Sequence, residues 1–322
     1  MRVFSAATLL MSAAPAILWH DRQPVPEGVS GGAVALLGKE LVYAGGTTWR
    51  NQVKLWLSNT FVYDLENDSW SKGPALPEPV AYGACLRTNR SLELLGGMNE
   101  HGASRKCWRL NAADREWTAS GMLPEVGVFA KAEIVRGQAY LFGGCANAEL
   151  GGCRNSVLRR NTEGMWEKVS EMPQGSLALS ATAVIRDQIY LFGGCSAVAP
   201  GKVRNREEAY RFNPLTNRWT VLHPLPMAIR GTSAVALDQR YILLAGGYDA
   251  RGFSAAAYGY DTETNQYTAV ASLPFPVMGM EMLARGRAIW GVGGEDKNRS
   301  RTPRVIEGKL VEDTQQAAAL QR

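Results

Sequence analysis

Six Gly-Gly pairs recur along the chain at near-even intervals: Gly45-Gly46, Gly96-Gly97, Gly143-Gly144, Gly193-Gly194, Gly246-Gly247 and Gly293-Gly294. Successive pairs are 51, 47, 50, 53 and 47 residues apart. A period near 50 means that one small unit is built again and again, so one repeat defines the fold. In such an array chemistry is confined to loops carried on a rigid scaffold, which narrows the search for a site to a few segments.

The repeat from Gly231 shows the unit. Thr232–Leu237 alternates small and branched residues, and Tyr241–Ala245 is a continuous apolar run stopped by Gly246-Gly247. Ala256–Tyr260 follows, then turn residues at Asp261–Asn265, then Gln266–Thr268 and Leu273-Pro274. Those are four short strands with reversals where turn residues allow them. The expectation is an all-β, six-bladed kelch-type β-propeller. Each repeat also ends in an aromatic: Trp70, Trp117, Trp166, Trp219 and Tyr267, each ahead of a Leu-Pro or Met-Pro pair. These rings are read as packing between blades. A further aromatic, Trp19, has no Gly-Gly pair before it, whereas Gly293-Gly294 is followed by Arg304–Leu310 and no Trp strand. The two deficits complement each other, so Ile17–Arg22 is expected as the fourth strand of the last blade, closing the ring and leaving no free edge.

A length of 322 residues could hold two domains, but a propeller uses it as one. The net charge of +5 is spread along the chain and fits an anionic ligand better than nucleic acid, for which there is no basic stripe or recognition motif. No stretch beyond the first twenty positions approaches the apolar length of a membrane span. Residues 1–16 have the outline of a secretory signal, with Arg2, apolar Val3–Met11 and the small-residue site Ala14-Pro15-Ala16. The expected organisation is therefore a signal over 1–16, a propeller over 17–310 and a loose tail over 311–322. Export would place the protein in the periplasm or outside the cell, and the alternative is the cytoplasm. Five cysteines are an odd number, which rules out a closed disulfide framework, although Cys145 and Cys153 flank one short loop and could pair.

In a four-stranded meander, the loops after the Gly-Gly pairs and those after the Leu-Pro pairs open on the same face. Every blade offers a cation after its Gly-Gly pair, and converging arginines favour a carboxylate or phosphate. The sharpest cluster is Gly294–Thr302, where Glu295 stands on the Gly-Gly exit six residues before Arg301. A glutamate there can take and return a proton at a hydroxyl while an arginine holds an anion. A solvated hairpin is the plain alternative.

This loop resembles that of the bacterial N-acetylneuraminate epimerases, six-bladed kelch mutarotases of sialic acid. Gly294, Glu295, Lys297, Arg301 and Thr302 match that family's motif, and Gly28–Gly32, Leu41–Gly46 and Ala81–Gly83 match the segment that follows it. Here those segments open the chain, so the order is circularly permuted, as in the cyclically permuted mutarotase relatives. The resemblance implies an isomerase that interconverts the anomers of a free acidic sugar without cofactor or metal. Glu295 would be the acid–base residue and Arg301 would bind the carboxylate or assist at the ring oxygen. Trp49, Arg50, Arg230, Glu281 and Arg299 would contact substrate. The rival reading is a non-catalytic kelch module that binds a protein or glycan, since fold alone does not decide function. A copper oxidase on the same scaffold fails for want of ligands, because His20, His101 and His223 are scattered.

Overall fold

The computed structural model describes residues 15–173, 175–199 and 202–311. They form six four-stranded antiparallel sheets arranged as blades around an axis. Blade 1 runs Ala33–Leu37, Glu40–Ala44, Thr60–Asp64 and Ser69–Lys72. The inner strands of blades 2 to 6 are Ala84–Arg87, Lys131–Val135, Ala181–Ile185, Ser233–Ala236 and Glu281–Arg285. The all-β six-bladed architecture is as the Gly-Gly period predicts. The proposed export segment and the tail fall almost wholly outside the described residues. Among the described residues no helix is long and apolar enough to cross a membrane.

Blade 6 is completed by the start of the chain. Ala16–Arg22 pairs antiparallel with Val305–Val311, with Trp19 opposite Gly308. A Cβ at Gly308 would lie 2.6 Å from the Trp19 ring, so that close packing requires glycine. The closing strand thus converts two exposed sheet edges into one more ladder.

Apolar second strands such as Tyr241–Ala245 are buried throughout because each is covered by a neighbouring blade on both sides. The interior is accordingly a ring of inter-blade clusters. Val42, Val62, Leu92 and Trp117 fill one between blades 1 and 2, and Tyr140, Phe142, Tyr210 and Phe212 fill one between blades 3 and 4. Fourth-strand aromatics also tie their blades to the ones before them. Trp70 Nε1 donates to the Gln23 carbonyl at 2.8 Å, Trp117 Nε1 to the Pro74 carbonyl at 3.1 Å, and the Tyr267 hydroxyl to the His223 carbonyl at 3.0 Å.

The Gly-Gly pairs have a steric cause. Gly45 and Gly46 both sit at positive φ, and added Cβ atoms would stand 2.4 Å from the Val80 carbonyl oxygen and 2.7 Å from that of Ser30. Only glycine lets the second strand turn out so close to the next blade.

Candidate functional site

The loops after the Gly-Gly pairs and those entering the inner strands do share one face, and a cavity of about 240 Å³ opens there on the axis. Each blade builds this face in the same way. The residue after its second glycine bridges the entry segment of the same blade's inner strand, as Ser30 with Thr47 and Met278 with Glu295. The loop then returns and closes on the second glycine, whose carbonyl accepts from Leu57, Ser104, Arg154, Arg206, Ser254 or Thr302 in turn.

That closure sets the residue after the glycines against the residue just before the returning donor. Blade 5 puts Tyr248 against Phe253 there, with ring centroids 5.0 Å apart. Blade 3 puts Cys145 against Cys153, joined as a disulfide. Blade 6 puts Glu295 against Arg301, joined as an ion pair. The Glu–Arg spacing that reads as acid–base chemistry in the sequence is the loop-base staple of blade 6.

Arg301 is turned inward, its side chain only 5% exposed against 22% for Glu295. Its Nε donates to Thr47 Oγ1 at 3.1 Å, one Nη to Glu295 and to the Ser300 carbonyl, and the other to the Tyr82 hydroxyl at 3.3 Å. A guanidinium so occupied has little left to offer a ligand carboxylate. Burial would raise the Tyr82 phenol, but the Arg301 and Lys54 cations outweigh it and hold the group below the usual phenol range. Lys54 lies 4.7 Å from the centre of the Tyr82 ring.

Of the residues expected to meet a ligand, Glu295, Arg301 and Glu281 line the cavity. The others are engaged elsewhere or stand apart. Arg50 pairs with Glu27 at 2.8 Å on an outer hairpin. Arg230 donates to Asn205 at 2.7 Å and lies over the Tyr248 ring at 4.3 Å. Trp49 buries an indole N–H with no hydrogen-bond partner among the described residues. Arg299 occupies a left-handed turn with φ 53° and does not line the cavity.

Apart from Glu281, the sequence reading missed the polar belt deeper on the axis. Arg87 donates to Glu281 at 2.8 Å and to the Val34 carbonyl at 2.6 Å, while Thr182 donates to Glu133 at 2.6 Å. Burial raises the Glu133 carboxyl above its ordinary range despite Thr182, Arg87 and Lys131. The available signal was a charged residue inside a short apolar inner strand, as in Ala84–Arg87 and Lys131–Val135. Cys85 also lines the cavity, but burial pushes its thiol up to about 11, which leaves it protonated and inert. Among the described residues no group of three His, Cys, Asp or Glu could hold a metal ion.

Comparison with known proteins points away from the mutarotases. The kelch motif is matched over residues 177–226. Kelch-like protein 36 of Mus musculus is 27% identical over 274 residues, covering 81% of this chain and 43% of that protein. Human Kelch-like protein 34 is 26% identical over 90% of this chain and 46% of its own length. Kelch-like protein terF of Aspergillus terreus is 24% identical over 71% of this chain and 52% of its own. The chain thus spans about half the length of the curated relatives it matches. These similarities overturn the expected membership of the N-acetylneuraminate epimerases, and with it the isomerase activity and the acidic sugar as partner. The physical reason lies in the staple: Glu295 and Arg301 satisfy each other and the loop, and their spacing follows from blade closure.

Proposed function

We propose that this chain is a non-catalytic kelch module that binds a protein partner through the face bearing the axial cavity. The observation that carries this reading is the form of that face. In four blades the loops after the Gly-Gly pairs fold as two-stranded hairpins flanking the cavity mouth, among them Thr47–Arg50 with Val53–Trp56 and Cys195–Ala199 with Lys202–Asn205. Those hairpins expose apolar side chains to water, Val53 at 56%, Val198 at 60% and Val203 at 40%. Lys202 and Arg204 accompany the two valines on the blade 4 hairpin, and apolar residues edged by cations suit a macromolecular contact better than a solvated surface. The similarity to Kelch-like proteins supports the same reading.

A photo-crosslinking amino acid at Val198 tests it against one at Leu215, an exposed residue in the turn between the third and fourth strands of the same blade. In extract of the source organism, Val198 should give a discrete protein adduct that excess unlabelled chain competes away. Leu215, on the opposite face, should give none. An adduct at Leu215 alone would assign binding to the other face and overturn the proposal.

A further inference from the structure

The throat of the cavity holds a ring of six equivalent residues, one per blade, each in the left-handed region: Gly31, Tyr82, Phe129, Leu179, Gly231 and Gly279, with φ between 55° and 72°. Backbone hydrogen bonds link neighbours around this ring. Tyr82 donates to the Gly31 carbonyl at 2.7 Å, Phe129 to Tyr82 at 2.8 Å, Gly231 to Leu179 at 2.8 Å and Gly279 to Gly231 at 2.8 Å. The conformation belongs to the fold, and glycine is the residue that adopts it without strain. Three successive blades place a tyrosine, a phenylalanine and a leucine there instead. A bulky residue at positive φ is a true outlier, and such strain concentrates where a binding surface needs the side chain.

All three side chains line the cavity and are half-buried. The Tyr82 and Phe129 rings lie 5.0 Å apart at 48°, leaving an apolar wall toward the axis. Across the ring from them, a Cβ at Gly231 would stand 2.4 Å from Met278 Cγ, whereas one at Gly279 would meet only Ser30 Oγ at 3.6 Å, so the throat is open on the blade 6 side. A cavity of about 150 Å³ already holds a benzene ring, and this one reaches about 240 Å³.

Charge selects what else the ligand carries. The arginines and two of the acids at the cavity are already coupled, Arg301 with Glu295 and Arg87 with Glu281. Lys131 also lines the cavity, two residues beyond Phe129; no carboxylate among the described residues stands within ion-pairing distance of its ammonium, although its charge acts on Glu133, two residues along the same strand, whose carboxyl burial raises above its ordinary range. One ammonium without a salt bridge matches one carboxylate, whereas a phosphate would draw on several donors.

We infer that the cavity binds an aromatic carboxylate, its ring against Tyr82, Phe129 and Leu179 and its carboxylate on Lys131. The inference rests on this face being the binding face. A free aryl acid and the C-terminal aromatic residue of a partner chain share this chemistry.

Titration calorimetry of the full chain with 3-phenylpropionate, 3-phenylpropionamide and a hexapeptide ending in phenylalanine, free or amidated at its C-terminus, tests it. The acid should bind at least tenfold more tightly than its amide, and Lys131→Met should erase that preference. Leu179→Gly, which installs the residue used by three other blades, relieves the positive φ but gives up packing on the cluster of Cys145 and Leu150; it should stay folded by circular dichroism and weaken binding at least fivefold. A free-acid peptide binding more tightly than phenylpropionate assigns the site to a partner's chain end, and the reverse assigns it to a small acid. Equal affinity for acid and amide, no heat with either, or an unchanged Lys131→Met variant would overturn the inference. A persistent Val198 adduct in that event would leave the binding face standing and locate the error in the cavity.

Discussion

Blades 3 and 6 close the same loop with different chemistry. In blade 3 the residue after the glycines and the residue before the returning strand are Cys145 and Cys153, held by a covalent bond. In blade 6 the corresponding residues are Glu295 and Arg301, held by charge. Both returns end in the same backbone hydrogen bond, Arg154 to the Gly144 carbonyl and Thr302 to the Gly294 carbonyl, each 3.0 Å. The lesson is that a glutamate and an arginine at a fixed spacing measure the length of a loop as readily as they mark a reaction. What separates a staple from a site is whether the groups have capacity left over, and Arg301 has almost none.

A third carboxylate sets the scale for breaking that comparison. Glu93, 3% exposed on the second strand of blade 2, accepts from Arg160 of blade 3 at 2.8 and 3.0 Å and from Arg109 at 3.0 Å. It holds two blades together, whereas the staples hold one loop. Removing one member of a buried pair leaves the other charged and uncompensated, so Glu93→Ala should cost about 3–5 kcal/mol, read as a fall in the urea midpoint. The pH dependence has a definite sign. Burial would raise the Glu93 carboxyl, but the Arg160 hydrogen bond and charge outweigh it and hold the group below its ordinary range. Its contribution is therefore present above the unfolded-state value of about 4.3 and is lost as the pH falls through the lower folded value. The variant's acid-unfolding limb should be correspondingly flatter, and an unchanged limb would show that Glu93 does not set it.

The covalent staple comes next. A cross-link eight residues apart restricts the unfolded chain by about 2.5 kcal/mol on the loop-entropy account. Cys153→Ser should lose that much, and reduction of the parent should lose the same. Thiol titration under denaturing, non-reducing conditions should count Cys85, Cys107 and Cys195 as free and no others. Five reactive thiols in the isolated protein would show that blade 3 is closed by packing alone.

How far the chain declared this in advance depends on the kind of residue. The Gly-Gly period and the terminal aromatics are backbone and packing constraints, so they repeat, and the six blades follow from them. The closing strand was legible because Trp19 supplied the one aromatic that the last repeat lacked. Charged side chains are different, because their partners lie in other blades. Arg301 and Arg87 look as available in the sequence as Lys131, yet the fold consumes the first two and leaves the third. Nothing local in Ala81–Gly83 or Val128–Ala130 announces that Tyr82 and Phe129 occupy positions that three other blades fill with glycine.

The smallest effect is the one that separates the two staples most cleanly. Arg301→Met keeps an unbranched apolar stem but removes the donors to Glu295, Thr47, Ser300 and Tyr82. Because Glu295 remains partly solvated, the loss should be about 2 kcal/mol, well below that of Glu93→Ala. Glu295→Gln, which keeps hydrogen-bonding capacity toward Arg301, should cost about 1 kcal/mol or less. Blades 3 and 6 face each other across the ring with no shared partners, so Arg301→Met and Cys153→Ser should add to within about 0.5 kcal/mol. Excess destabilisation in the double variant would mean that the two loop bases communicate through the cavity between them, and blade 6 would then be more than a staple. Additivity, with the binding face still active in the Arg301→Met variant, places the ion pair where its geometry puts it, as the charged counterpart of a disulfide.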